Sequence, residues 1–292
     1  MTKTSIVLLI LLAIVTIVAT FFVANRPRRV TIDAPLAVDF PEQGFPHDGF
    51  EALLREYVTQ DGEVDYERWY SSSESVAALD GYLAAVSRFS PENAAGRFPE
   101  RNDALAYWLY GYNAYVIKSV LDRWPLSSVT DVKAPIEAVK GLGFFYQLRF
   151  PFGGEFLSLL RVENGKIRAR YRDARIHFVL NCASESCPVI RPELPTGAEL
   201  EELMTRAAGE FINNPENVFV DHDTRTVFLS TIFKWYRKDF INDLRAKGLP
   251  SKRGLIDYVA SLATGSLQSD LAGANDYAVE FRDYDWDLNE ST

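Results

Sequence analysis

The densest group of reactive side chains is the run Arg175-Ile176-His177-Phe178-Val179-Leu180-Asn181-Cys182-Ala183-Ser184-Glu185-Ser186-Cys187-Pro188. It holds both cysteines of the chain and one of its three histidines. A thiol attacks an acyl carbonyl near neutral pH only when a base or a cation lowers its pKa, so an imidazole close to a sulfur is the minimal apparatus. Residues 176–180 read as a strand. Along a strand, His177 and Cys182 stand about 16 Å apart and on opposite faces. Cys187 has the easier route back, through the loop 183–186. Asn113, on an apolar helix, and Glu163, in the turn-like Glu163-Asn164-Gly165, are the polar groups that could orient the imidazole. A buried Asn amide serves equally to tie a loop backbone to a helix. Arg175, beside His177, could hold a carboxylate. The competing reading of the sulfurs is a Cys182–Cys187 disulfide that staples the loop and leaves no thiolate, as an oxidising compartment favours. The C-x4-C spacing with one histidine lacks the usual C-x2-C pair, so no metal and no cofactor is expected.

The elements that must position these groups follow from periodicity. Leu105, Trp108, Leu109, Tyr112, Val116 and Val120 form one stripe of a helix over 103–124, with Asp103 as N-cap and Pro125 as stop. Tyr107, Tyr110 and Tyr115 lie off that stripe, so the helix is apolar nearly all round and belongs at the centre of the body. Helices are also expected near Phe50–Val58, over 76–86, after a Thr196/Glu199 capping box, and after Ser230. The alternation from Phe144 to Phe150 and in 284–288 predicts strands, and 218–220 with 227–229 predicts a hairpin. The fold class is α+β: a single domain with helices packed on a mostly antiparallel sheet.

With 47% hydrophobic and 24% charged residues, the chain has a globular composition. Its net charge of −9 argues against nucleic acid as a partner. Residues 5–24 carry no charge. At about 1.5 Å per residue such a segment spans roughly 30 Å, a bilayer's hydrocarbon thickness. Phe22-Val23-Ala24 is a poor cleavage site, so one N-terminal transmembrane helix is expected, with a cleaved signal peptide as the alternative. The organisation is then an anchor with its basic flank over 1–29, a stalk over 30–45 and a domain over 46–292. Lys3 precedes the span while Arg26, Arg28 and Arg29 follow it, a lean of one charge when the α-amino group is counted. A short flank before a single span acts as a signal anchor, so the domain is expected outside the cytoplasm. Beyond residue 29, 27 cationic side chains face 40 anionic ones, leaving −13, a charge that anionic headgroups repel.

Tyr112-Asn113-Ala114-Tyr115, the 175–188 run, Ser230 through Asp239-Phe240, Tyr284-Asp285-Trp286-Asp287-Leu288-Asn289 and the early Gly62-Glu63-Val64-Asp65-Tyr66 together resemble the domain of unknown function 547 family over about residues 46–289. The resemblance marks Asn113, His177, Cys182 and Cys187, assigns them no roles, and implies an exported domain. Two functions follow as expectations. One is a non-catalytic binding or structural module of the cell envelope, anchored through its N-terminal helix and contacting a protein, peptide or glycan. The other is a thiol hydrolase or acyl transferase with ingredients similar to papain-like enzymes, using His177 with Cys182 or Cys187 and Asn113 or Glu163 to orient the ring. In papain-like enzymes the cysteine precedes the histidine and opens a helix; here the order is reversed.

Overall fold

Helix α5 (Arg101–Leu121) is the axle of the body in the computed structural model: every residue from Leu105 to Leu121 is buried. A helix wrapped on all sides needs no polar face, which is why apolar residues run right round it. Its tyrosines remain acceptable because their hydroxyls reach backbone carbonyls. Tyr107 donates to Val86 at 2.8 Å, Tyr115 to Pro151 at 2.6 Å and Tyr110 to Pro195 at 2.5 Å. Each such ring, fully buried, contributes about 1.5–3 kcal/mol of apolar transfer. The helix opens three residues earlier than an Asp103 N-cap implies. Glu100 is the N-cap, and Asp103 closes the capping box by accepting from the Glu100 N–H at 3.1 Å.

The structure describes residues 3–24, 26–135, 137 and 139–291, without the side chains of residues 3, 4, 6, 9, 21, 22 and 24. After α1 (Lys3–Ala24) come α2 (Asp48–Tyr57), α3 (Tyr66–Ser71) and α4 (Ser73–Arg88), of which α3 and α4 pack on α5. Short α6 (Leu159–Arg161) and α7 (Ala169–Tyr171) flank a π-helical turn, Val162–Arg168, that lies against α5. Helices α8 (Glu199–Asn213), α9 (Thr231–Trp235), α10 (Arg237–Ala246), α11 (Leu255–Ala260) and α12 (Gly265–Gly273) complete the second half.

The architecture is mixed α+β in one domain, but the expected mostly antiparallel sheet is replaced by two small mixed sheets. In the first, β2 (Leu148–Phe152) pairs antiparallel with β3 (Glu155–Leu157) and parallel with β1 (Arg28–Arg29). In the second, β4 (Val218–Asp221) and β5 (Thr226–Leu229) form the expected hairpin, and β6 (Ala278–Phe281) joins β5 in parallel. Three other local expectations give way to tertiary contacts. Residues 144–147 lie in a π-helical turn, Gly143–Gln147, where a Cβ on Gly143 would stand 2.0 Å from the Val132 carbonyl oxygen. Thr196 caps nothing, because the adjoining Gly197 is tied by its N–H to Asp103 and by its carbonyl to Asn102, at 3.2 and 2.9 Å. Residues 284–288 alternate in burial as a strand would but join no sheet. Their backbone bonds instead to Ser127, Ser128, Glu185 and Ser186.

Among the described residues no helix is long and apolar enough to cross a membrane. In α1 the longest uninterrupted run of described side chains is 10–20, and Phe22 and Ala24, which bear on cleavage, lie outside the described side chains. Met1, whose α-amino group enters the orientation argument, is also outside. The 30–45 segment lies against the body rather than away from it: Val30, Ile32, Leu36 and Phe40 pack on the core and Phe45 belongs to it.

Candidate functional site

His177 is delivered by a 3-10 turn, Ala174–Phe178, and not by a strand. The Asp173 side chain accepts from the Arg175 N–H at 2.9 Å and starts that turn. Ile176, His177 and Phe178 are all buried, so the run lacks the in-out alternation that distinguishes strand from turn. The chain then bends at once, which removes the strand-length separation between the imidazole and the sulfurs. His177, Glu163, Cys182 and Cys187 line one cavity of about 40 Å³, with Tyr112, Tyr236 and Tyr284 among its walls. That volume is close to what one water molecule occupies.

Asp239, at the start of α10, orients the ring. Its Oδ2 lies 2.9 Å from His177 Nε2 and 2.7 Å from Arg168 Nε. Burial pushes the Asp239 carboxyl up, but the hydrogen bonds from His177 and Arg168 outweigh it and hold the group well below the usual carboxylate range. An ionised Asp239 accepts, so Nε2 carries the imidazole proton and Nδ1 the lone pair. Burial lowers the His177 pKa, with the Asp239 bond opposing, so the ring is neutral at pH 7. Tyr236 packs flat on it, centroids 3.8 Å apart.

Glu163 is in the π-helical turn and is 6% exposed. Burial raises its pKa, against the Tyr236 hydrogen bond and the Arg168 charge, which lower it. Its Oε1 has no hydrogen-bond partner among the described residues, and Arg168 Nη1 stands 3.9 Å away. Glu163 thus shares the cavity with His177, but Asp239 holds the ring.

Asn113 serves the backbone. Its Nδ2 donates to the Val179 carbonyl at 3.0 Å and its Oδ1 accepts from the Asn181 N–H at 3.0 Å. It fastens the axle helix to the start of the cysteine bend, with both amide atoms bonded to backbone. Replacing Asn113 with Ala strands a buried N–H and a buried C=O. The expected loss is about 2 kcal/mol, read as a lower urea midpoint at unchanged slope.

The bend is stapled several times. Cys182 and Cys187 lie at disulfide-bonding distance with Cα atoms 6.1 Å apart, and no cysteine is free. Asn181 donates to the Pro188 carbonyl at 2.9 Å and accepts from the Ala183 N–H at 2.8 Å, holding Ala183 at φ 57°. Beside the bend runs a wider groove of about 620 Å³ lined by Cys187, Glu185, Ser186, Tyr284 and Asp285. Arg175 does bind carboxylates, those of Asp173 and Glu201. His47, which reads as unremarkable in the sequence, is buried with Nδ1 2.8 Å from the Tyr82 hydroxyl. Among the described residues no group of His, Cys, Asp and Glu could hold a metal ion.

The fold and site define a mixed α+β domain in which a cysteine-stapled bend roofs a buried imidazole–carboxylate cavity. Residues 97–212 match the model of the family described as Protein of unknown function, DUF547. The match includes Asn113, Glu163, His177 and both cysteines; Tyr236, Asp239 and Tyr284 lie beyond it. No curated protein and no solved structure matches the chain.

Proposed function

We propose that this is a non-catalytic binding module of the cell envelope, anchored through residues 5–24 with its domain outside the cytoplasm, and that its ligand lies in the groove beside the cysteine bend. The observation that carries the reading is the groove's lining. Asp61, Glu185, Asp283 and Asp285 make no ion pair among the described residues, whereas the groove's Arg191 and Arg282 are paired with Glu210 and Glu216; Tyr284, on the groove wall, packs against Trp235, a residue of the adjoining small cavity that is 47% exposed. Unpaired carboxylates beside an exposed indole suit a cationic peptide or protein segment, through charge complementarity and cation–π contact. The cavity at His177 is too small for an acyl substrate, and paired sulfurs offer no thiolate. The test is titration with a fluorescent Lys/Arg-rich peptide. Binding is expected to weaken with salt and to fall about thirtyfold in Trp235→Ala. Binding of a neutral oligosaccharide in place of the peptide, or indifference to Trp235→Ala, overturns the reading.

The thiol hydrolase or acyl transferase keeps one supporting observation, that His177, Glu163 and both sulfurs border a single cavity. It requires the reduced pair. Ester cleavage by the reduced protein that His177→Ala abolishes would establish it, and equal rates in the two proteins remove it.

A further inference from the structure

The two sulfurs of the bend have different surroundings. Cys187 lines both the wide groove and the small cavity, whereas Cys182 lines only the cavity. Around Cys182 stand two hydroxyls, Tyr284 Oη at 2.9 Å and Ser184 Oγ at 3.2 Å from its Sγ, and these oxygens are 2.8 Å from each other. A disulfide sulfur carries no proton, so any hydrogen bond here is donated by a hydroxyl. Two hydroxyl protons serve three contacts, so at most two of the three are hydrogen bonds at once. Were Cys182 to become a thiolate, both could turn to it. Hydrogen bonds to an ionised acceptor are roughly twice as strong as neutral ones. Among the described residues Cys187 Sγ has a single donor, the Cys182 N–H at 2.8 Å.

We propose that the bend is a directional thiol–disulfide exchange site, attacked at Cys187 from the groove and releasing Cys182 as the leaving group. An incoming thiolate donates its electron pair to Cys187 Sγ and forms a mixed disulfide. The Cys182–Cys187 bond breaks, and its pair passes to Cys182 Sγ, where the Tyr284 and Ser184 hydroxyls stabilise the charge. A second thiolate then attacks the mixed disulfide. It releases the Cys187 thiolate and a small disulfide, so two thiols are oxidised and the bend is reduced. A lower leaving-group pKa speeds exchange, which is why the hydroxyls set the direction.

The groove also selects the thiol. Glu185, Asp283 and Asp285 have no ion partner among the described residues. The Glu185 carboxyl is pushed up by burial and then by the charges of Glu63, Asp285 and Asp287, a sign of concentrated negative potential. The substrate class is therefore a small thiol without net negative charge, such as free cysteine. The inference stands apart from the peptide-binding reading, which can fail without it.

The experiment treats the folded full chain with limiting free cysteine, quenches with a maleimide and maps both products by mass spectrometry. The expected result is cysteinylation on Cys187 and the maleimide on Cys182, in about tenfold excess over the reverse. Equal labelling, the reverse pattern, or no reaction under conditions that open the denatured chain overturns the proposal. Cysteamine should react about tenfold faster than thioglycolate per thiolate at low salt, the gap closing at high salt. In Cys187→Ser, the Cys182 thiolate absorbance should appear at higher pH once Tyr284 is also replaced by Phe. An unchanged titration removes the role given to the hydroxyl, without reference to stability.

Discussion

Acidification should unfold the protein through His47. Burial takes its pKa from 6.5 down to about 3, because it strips the charged ring of hydration. Its ring nitrogen meets the Tyr82 hydroxyl, and its faces meet Phe45 and Tyr110. The folded state prefers the neutral imidazole. The stabilising contribution is therefore complete above the unfolded-chain value near 6.5, falls as the pH drops below it, and is gone at about pH 3. Each pH unit in that window costs about 1.4 kcal/mol. Between pH 7 and pH 4.5 the wild type should lose about 3 kcal/mol more stability than His47→Gln. Urea unfolding of both proteins across that range measures the difference, and parallel pH profiles would refute it. His177 and Asp239 act in the same direction, since both have folded values below the usual ones, and Glu163 acts oppositely because its value is raised. Comparing wild type with the single variant isolates His47 from all three.

Gly62→Ala should be the most damaging single methyl in the bend region. Gly62 has φ 85°, and a Cβ there would stand 2.4 Å from Val189 Cβ and 3.1 Å from Val189 Cα. The left-handed conformation alone costs an L residue roughly 1–2 kcal/mol. Displacing Val189, two residues beyond Cys187, adds an overpacking term of about 1–3 kcal/mol. The expected total is about 3–4 kcal/mol. Gly154 is a built-in control: it has the same φ of 85°, and nothing lies within 4 Å of its Cβ position. Gly154→Ala should lose only the conformational part. Equal losses in the two variants, by thermal or urea unfolding, would show that Val189 yields freely.

The sequence made some of this legible. The axle helix and the 218–229 hairpin are read from periodicity because their burial follows the local pattern. The juxtaposition of Glu163, His177 and the cysteines was approachable because three of the four lie within eleven residues of one another in the chain. What local pattern could not supply is the long-range partner. Asp239 is 62 residues from His177, and Tyr284 is 102 from Cys182. Both fall in segments that the family resemblance picked out, Asp239-Phe240 and Tyr284-Asp285-Trp286, yet nothing in their spacing couples them to the imidazole or the sulfur. His177 reads as a strand residue because apolar neighbours on every side look alike in a buried strand and a buried turn.

The end of the chain is sewn into its beginning. Val64 donates to the Asn289 carbonyl at 2.9 Å and accepts from the Ser291 N–H at 3.1 Å, and Tyr66 donates to Asn289 Oδ1 at 3.1 Å. The Tyr66–Asn289 bond alone joins residues 223 positions apart in the chain. Closing so long a loop costs entropy that only the rest of the fold can offset, so this seam is expected to form late in folding.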